Sequence, residues 1–175
     1  GYPAYLGTSV AGAGDVNGDG YGDVIVGAPG YDAGLADEGA AFVFLGSAAG
    51  IAHGNPATAH ARFESDQGGI SLLDRWPFLG RSVASAGDVD GDGYDDVIVG
   101  APSYNAGQTD EGAAFVFLGS PGGVADGSPI TAKAQLESNQ TGSGGIGDFA
   151  PGLGTSVASA GDVDGDGYDD WIAGA

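Results

Sequence analysis

Hydrophobic residues fall in short runs that are interrupted by glycine and proline, and the same order of runs recurs along the chain. Residues 6–11, 79–84 and 153–158 each open with Leu-Gly and are rich in small side chains, which are typical of a crowded strand near a shared axis. An apolar run follows, Val-Ile-Val in the first two copies, and the Gly-Ala-Pro after it predicts the end of a second strand. No segment predicts a convincing helix.

A third strand is predicted within an 11-residue block, 37–47, that recurs unchanged at 110–120. Phe42 and Phe44 face one way and Val43 and Leu45 the other, so both faces of the strand are apolar. This pattern predicts a strand packed between two sheets.

A fourth strand shows strict alternation of apolar and polar residues. Ala59, Ala61 and Phe63 alternate with His60, Arg62 and Glu64, and Ala132, Ala134 and Leu136 alternate with Lys133, Gln135 and Glu137. One buried and one wet face predict an outer edge strand that is protected by charge. The segments that close each unit, 67–78 and 140–152, are glycine-rich and least alike, so we expect partner specificity there.

These strands belong to an internal repeat. Asp15, Asp88 and Asp162 occupy the same place in successive units, at separations of 73 and 74 residues. We therefore divide the chain into a first unit, 1–78, a second unit, 79–152, and the first half of a third, 153–175. The prediction is an all-β chain with two complete four-stranded units and two strands of another.

A nine-residue loop joins the first two strands of each unit, at 15–23, 88–96 and 162–170. Side chains with oxygen atoms recur at loop positions 1, 3, 5 and 9, and glycines at positions 4 and 6 let the backbone fold back. Carboxylates this close repel one another, whereas Ca²⁺ takes six to eight oxygen ligands and turns repulsion into coordination. With the position 7 carbonyl as an extra ligand, the pattern predicts three calcium sites.

Two other kinds of loop, an ordinary turn and an EF-hand, fit the sequence less well. Asp and Gly are both common in ordinary turns, but the loop occurs three times with its oxygen-bearing side chains at the same positions, which disfavours a simple turn. An EF-hand requires a bidentate Glu at position 12, where Val26, Val99 and Ala173 are found. Loop 1 carries Asn17 and Gly22 where the other loops carry Asp, so we expect its site to be the weakest.

Composition narrows the classes of function. The chain has 4 Lys and Arg, 24 Asp and Glu and a formal net charge of −20, which argues against nucleic acid and anionic membranes as partners. With 42% hydrophobic residues in patterned runs, it is not predicted to be disordered. Cysteine is absent and so is methionine, even at position 1, so we expect a processed or excised chain. No membrane-inserted stretch is predicted, and calcium loops of this kind favour an extracellular or cell-surface location.

No catalytic constellation emerges, so we do not expect an enzyme. The two histidines, His53 and His60, are predicted in a turn and on the wet face of the fourth strand. Glu38 and Glu111 start a strand and are expected to cap backbone amides or line a junction between units rather than act as acids. Asn139-Gln140-Thr141 fits the N-glycosylation pattern.

The order of three motifs resembles the FG-GAP repeat. These are Leu-Gly-Thr-Ser-Val-Ala, then Ala-Gly-Asp-Val-Asp-Gly-Asp-Gly-Tyr-Asp-Asp-Val-Ile-Val-Gly-Ala-Pro, then Glu-Gly-Ala-Ala-Phe-Val-Phe-Leu-Gly-Ser, with Leu-Gly in place of Phe-Gly. FG-GAP repeats form the blades of integrin alpha-subunit β-propellers and of many bacterial secreted and surface proteins, and we expect the bacterial type here. The resemblance implies four-stranded antiparallel blades with calcium in the hairpin between the first two strands. The implied ligands are Asp15, Asn17, Asp19, the Tyr21 carbonyl and Asp23; Asp88, Asp90, Asp92, the Tyr94 carbonyl and Asp96; and Asp162, Asp164, Asp166, the Tyr168 carbonyl and Asp170.

The number of blades sets the expectations about partners. A propeller needs about four to eight blades, so two and a half should expose apolar sheet faces at both ends. The partners expected are further blades of a longer chain or other copies of this one, and a protein or glycan ligand. The function expected is a non-catalytic, calcium-binding module for adhesion or scaffolding. The alternatives are a self-assembling subunit of an extracellular filament, favoured if the chain is complete, and a glycan-binding accessory domain of a secreted enzyme.

Overall fold

The computed structural model describes residues 3–68, 76–141 and 152–175. Two four-stranded antiparallel sheets have their strands in chain order, and a two-stranded antiparallel sheet follows. The prediction of an all-β fold with two complete blades and half of a third is therefore confirmed. Most of both closing segments, 67–78 and 140–152, lies outside the described residues.

Each blade begins with two strands joined by one of the nine-residue loops. Blade 1 contains β1 (Ser9–Gly14), β2 (Asp23–Ala28), β3 (Ala40–Phe44) and β4 (Ala61–Glu64); blade 2 contains β5 (Ser82–Gly87), β6 (Asp96–Ala101), β7 (Ala113–Phe117) and β8 (Ala134–Glu137); blade 3 contains β9 (Ser156–Gly161) and β10 (Asp170–Gly174). Short 3₁₀ turns, Pro56–Thr58 and Pro129–Thr131, precede the fourth strands.

The first strand of each blade starts three residues later than predicted. β1 begins at Ser9 rather than at Leu6, and β5 and β9 are displaced in the same way. The Leu-Gly step lies instead at the junction between blades, where Leu79 bridges Gly39 and Leu153 bridges Gly112 of the preceding blade. A Cβ on Gly27 would overlap the carbonyl oxygen of Gly80, so the neighbouring blades approach through bare backbone.

The hydrophobic core lies between the blades. The rings of Phe63 in blade 1 and Phe117 in blade 2 stack with their centroids 4.1 Å apart and an interplanar angle of 18°. All of β7 is buried, as is β3 from Ala40 to Val43, which confirms the prediction of a strand that is apolar on both faces. The blades therefore stabilise one another by stacking face to face.

β4 is the outermost strand of blade 1 and has one buried and one partly exposed face, as predicted, but its edge is also covered by the next blade. Gly127 of blade 2 donates its backbone N–H to the carbonyl of Arg62 (3.0 Å) and accepts from the N–H of Glu64 (3.1 Å). The β7–β8 connection of the next blade thus covers the free edge of β4. Leu136 of blade 2, expected on a buried face, is 42% exposed, because among the described residues no counterpart of Phe117 packs on it.

Apolar side chains are exposed on the two end faces of the described chain. Val10 in β1 is 67% exposed, whereas its counterpart Val83 is 5% exposed under blade 1. Ile172 in β10 is 58% exposed, whereas its counterpart Ile98 is fully buried. The expected apolar end faces are therefore present.

Candidate metal centres in the repeat loops

The aspartate at loop position 1 organises the loop backbone. In loop 2, Asp88 Oδ1 accepts hydrogen bonds from the N–H groups of Gly91 (2.7 Å) and Asp92 (3.1 Å), and Oδ2 accepts from Gly93 (2.9 Å). Both glycines have positive φ, 75° and 92°, which is why these positions favour glycine. Asp162 makes the same three bonds in loop 3, and Asp15 makes two of them in loop 1.

In loops 1 and 2, the aspartate at position 9 connects the loop to the segment that follows the third strand of the same blade. Asp96 is fully buried; its Oδ2 accepts from Val89 N–H (2.9 Å) and its Oδ1 from Gly119 N–H (2.8 Å), just after β7. Asp23 makes the equivalent bonds in blade 1, to Val16 (2.9 Å) and Gly46 (2.7 Å). Burial, with the neighbouring Asp90 and Asp88, raises the pKa of Asp96 to about 6, against the lowering effect of its two hydrogen bonds.

The middle positions bring further carboxylates to the same place. Asp88, Asp90 and Asp96 each offer a carboxylate oxygen within 4.8 Å of the others, and so do Asp162, Asp164 and Asp166. Asp90 Oδ2 forms an ion pair with Lys133 Nζ at 3.3 Å. The other oxygen of Asp90, Oδ1, is buried and has no hydrogen-bond partner, which fits the role of a metal ligand.

Loop 1 is built differently at position 3. Asn17 Oδ1 accepts from Asp19 N–H (3.1 Å), and Asn17 Nδ2 donates to Asp19 Oδ2 (3.1 Å), so the amide is hydrogen-bonded to the next predicted ligand. Among the described residues, loop 1 contains no group of three carboxylates as close as those of loops 2 and 3. An ion in loop 1 would meet fewer negative charges.

The donor set of the loops fits a hard cation. Every side chain placed at positions 1, 3, 5 and 9 offers a carboxylate or amide oxygen, and Ca²⁺ prefers oxygen ligands of this kind. The N–H groups of Tyr21, Tyr94 and Tyr168 donate to the position 5 aspartate, at 2.9, 3.0 and 2.9 Å. The use of their carbonyls as ligands stays a prediction.

Sequence reasoning missed a second role of the loops, at position 8. Asp95 Oδ2 accepts from Asp15 N–H of the preceding loop (2.7 Å), and Asp95 N–H donates to the Asp15 carbonyl (3.2 Å). Asp169 makes the same pair of bonds with Asp88, at 3.0 and 2.9 Å. The sequence does contain a sign of this role, because loops 2 and 3 carry an Asp at position 8, which is not one of the predicted ligand positions.

Two glutamates and two histidines outside the loops occupy structural or exposed positions. Glu38 and Glu111 are buried and each accepts a hydrogen bond from a backbone amide, Leu35 and Gln108 respectively, both at 2.8 Å, as expected. Burial is the main cause of a raised pKa at Glu38. His53 and His60 are exposed, as expected.

The arrangement defines a class of protein: stacked propeller-type blades whose hairpin loops gather carboxylates. The profile of the FG-GAP repeat family matches residues 6–44 and 79–117. Integrin alpha-5 of Xenopus laevis is 34% identical over 179 residues, with 98% of this chain and 15% of that protein covered. Integrin alpha pat-2 of Caenorhabditis briggsae is 36% identical over 184 residues, covering 98% of this chain and 13% of that protein.

Integrin alpha-IIb of Homo sapiens is 34% identical over 177 residues, covering 98% of this chain and 15% of that protein. The chain therefore belongs to the FG-GAP repeat family of integrin alpha type and spans only a small part of the length of these curated relatives. The relatives named here are animal proteins, so the expected bacterial type stays a prediction.

Proposed function

We propose that this chain is a non-catalytic, calcium-stabilised module of an extracellular or cell-surface protein, acting in adhesion or as a scaffold. The observation that carries the proposal is the convergence of three carboxylates in loops 2 and 3, with the unpaired, buried Oδ1 of Asp90 among them. The similarity to integrin alpha chains supports the adhesion class and the cell-surface location. None of the described residues forms a helix long and apolar enough to cross a membrane.

The ion would have a structural role. It would be held by the side chains at positions 1, 3, 5 and 9 with the position 7 carbonyl, and would neutralise carboxylates that otherwise repel one another. Because position 9 is bonded to the start of the β3–β4 or β7–β8 connection, an ion would fix the hairpin to the rest of its blade. The loops of neighbouring blades touch through position 8, so the ions would also support the stacking of blades.

Calcium removal tests the proposal. We expect EGTA to lower the melting temperature markedly, because the carboxylates must then separate or take up protons. Magnesium is the matched control, since it is smaller and demands a more regular octahedral geometry. A melting temperature that is the same with calcium and with EGTA would contradict the proposal.

Single-loop variants assign the effect to the sites. Asp19→Ala, Asp92→Ala and Asp166→Ala each remove the position 5 ligand from one loop. We expect the largest losses of bound calcium from Asp92→Ala and Asp166→Ala, since loop 1 is predicted to be the weakest site. Equal losses from all three variants would contradict the order of affinities while leaving calcium binding itself in place.

A further inference from the structure

The backbone nitrogen that follows position 3 is less constrained in loop 1 than in the other two loops. The N–H of Gly18, which comes directly after Asn17, donates to no acceptor among the described residues. At the same place in loops 2 and 3, the N–H groups of Gly91 and Gly165 each donate to an aspartate Oδ1 at 2.7 Å. All three glycines are exposed. Loop 1 therefore has a free backbone nitrogen immediately after its position 3 side chain.

That side chain is an amide in loop 1 and a carboxylate in the other loops. The Asn17 side chain is folded forward along the chain, because its Oδ1 accepts from the N–H of Asp19 at 3.1 Å and its Nδ2 donates to Asp19 Oδ2 at 3.1 Å. The first bond places a donor on the oxygen that gains negative charge when a nucleophile adds to Cγ, and such a donor stabilises the addition. The ionised carboxylates of Asp90 and Asp164 are much poorer targets for a nucleophile.

We propose that Asn17-Gly18 is a site of spontaneous modification, at which Asn17 loses its amide and loop 1 gains a carboxylate. The Gly18 nitrogen attacks Cγ of Asn17 and forms the new N–Cγ bond of a cyclic succinimide. The Cγ–Nδ2 bond breaks, and Nδ2 leaves as ammonia with the proton that Gly18 gives up. Water, the co-reactant, then opens the ring at either of its carbonyls, which yields aspartate in one case and isoaspartate in the other.

The remaining asparagines lack the features that Asn17 combines. Asn55 precedes a proline, which has no N–H to give up. Asn105 precedes an alanine and Asn139 a glutamine, and both of these side chains crowd the backbone nitrogen that would have to attack. We therefore expect the modification to be concentrated at Asn17.

The two products would affect loop 1 in opposite ways, a consequence that rests on the calcium site proposed above. Aspartate adds a charged ligand at position 3, where loops 2 and 3 carry Asp90 and Asp164. Isoaspartate adds a methylene group to the main chain and so displaces the next ligand, Asp19, from its place in the loop. The calcium affinity of loop 1 should therefore become heterogeneous as the protein ages.

Peptide mapping by mass spectrometry tests the modification itself. The chain is incubated in EGTA at physiological pH and temperature, and conversion at position 17 is followed over time. Asp90→Asn and Asp164→Asn are matched controls, because each gives its loop the same residues as loop 1 at positions 1 to 7. Gly91 and Gly165 still have an aspartate acceptor in these variants. Because a nitrogen held by a charged acceptor must first break that bond, we expect conversion at position 17 to be about tenfold or more faster than at either substituted position.

The same variants in urea provide the control for the fold. In the unfolded chain the Asn-Gly sequences should be converted at nearly equal rates, since their neighbours in the loop are the same. Asn17→Asp supplies the reference for the aspartate product, and the isoaspartate product has the same mass but separates from it by chromatography. Circular dichroism melts verify that each variant is folded in the absence of urea.

Two results would overturn the proposal. The first is a folded chain in which Asn17 keeps its amide over a period in which the chain in urea is converted. The second is equal conversion at position 17 and at the substituted positions of the folded variants, since the free Gly18 nitrogen would then have no effect. A chain that binds no calcium would contradict only the consequence for loop 1 and would leave the change in mass unaffected.

Discussion

Loops 1 and 2 differ at two of their nine positions, and the two differences affect separate properties. At position 3, Asn17 replaces the Asp90 of loop 2 and changes the charge available to an ion. At position 8, Gly22 replaces Asp95 and removes a bond to the neighbouring blade. Because Asp90 pairs with Lys133 of its own blade and Asp95 bonds to Asp15 of the preceding blade, charge and blade contacts can change independently within one repeat.

The difference at position 3 is accompanied by a difference at a second residue, which lies next to it in blade 2. Lys133, just before β8, pairs with Asp90 at 3.3 Å, and the equivalent position in blade 1 holds His60. At position 3, loop 2 thus has a carboxylate and a nearby cation that partly neutralises it, whereas loop 1 has an amide and, at the place of the cation, a histidine. Without an ion, the lysine lowers the repulsion among the carboxylates of loop 2.

The largest effect is expected at position 9, where the two loops are alike. Asp96→Ala removes the acceptor of two amides and should lower the free energy of unfolding by about 2–6 kcal/mol, at about 1–3 kcal/mol for each. Asp23→Ala should behave in the same way. Asp170→Ala should cost less, since the structure shows one amide, that of Val163, donating to Asp170.

Urea unfolding in EGTA measures these losses without any contribution from calcium. Asp96→Asn, which keeps an acceptor for one of the amides, is the conservative control. If Asp170→Ala were as damaging as Asp96→Ala, the bonds to Gly119 and Gly46 would not have the importance assigned to them here.

The second-largest loss of stability is expected at position 8, where loops 1 and 2 differ. Asp95→Ala should cost about 1.5–3 kcal/mol, because the Asp15 amide loses a charged acceptor. Gly22→Ala, at the same position of loop 1, should change stability by no more than about 0.5 kcal/mol, since its Cβ would point into open space. Urea unfolding of both variants measures the difference, and equal losses would show that Asp95 does not fasten the blades.

Asn17→Asp would erase the difference at position 3. The added charge should tighten calcium binding in loop 1 by an order of magnitude or so, since affinity in calcium loops follows the number of charged ligands. The same variant should be less stable in EGTA, because a further carboxylate repels Asp15 and Asp19. Calcium titration calorimetry checks the first effect, and an unchanged affinity would rule out ligand charge as the reason for a weaker loop 1.

The smallest effect concerns Lys133. The lysine competes with an ion for Asp90, so Lys133→Met should raise the calcium affinity of loop 2 a few-fold, in keeping with about 0–1 kcal/mol for an exposed ion pair. His60→Met at the equivalent position should leave loop 1 unchanged. High salt should remove the effect of Lys133→Met, and a gain in affinity that persists there would point to a cause other than charge.

The features that depend on residues close together in the sequence could be predicted from it. The alternation of side chains, the Gly-Ala-Pro stops and the spacing of Asp and Gly predicted the hairpins and the gathering of Asp88, Asp90 and Asp96. The sequence could not show which groups meet across blades. At the covered edge of β4, Arg62 bonds to Asp126, which is 64 residues away, and Asp15 bonds to Asp95, which is 80 residues away. These residues meet only because one sheet stacks on the next.

The start of β5 lies at Ser82 rather than at the predicted Leu79 for the same reason. Leu79 follows a glycine-rich segment and is apolar, so it resembles the first residue of a strand. Its backbone instead bridges Gly39 of the preceding blade, and its side chain is fully buried there. Hydrophobic patterning indicates that a residue is buried but does not show which sheet buries it.

The count of calcium ions bound per chain tests the central claim most directly. Titration calorimetry on the chelator-treated chain should show three ions per chain, two bound more tightly in loops 2 and 3 and a weaker one in loop 1. Asp92→Ala should remove one of the tighter ions. A folded chain that binds no calcium would contradict the claim that these loops are metal sites.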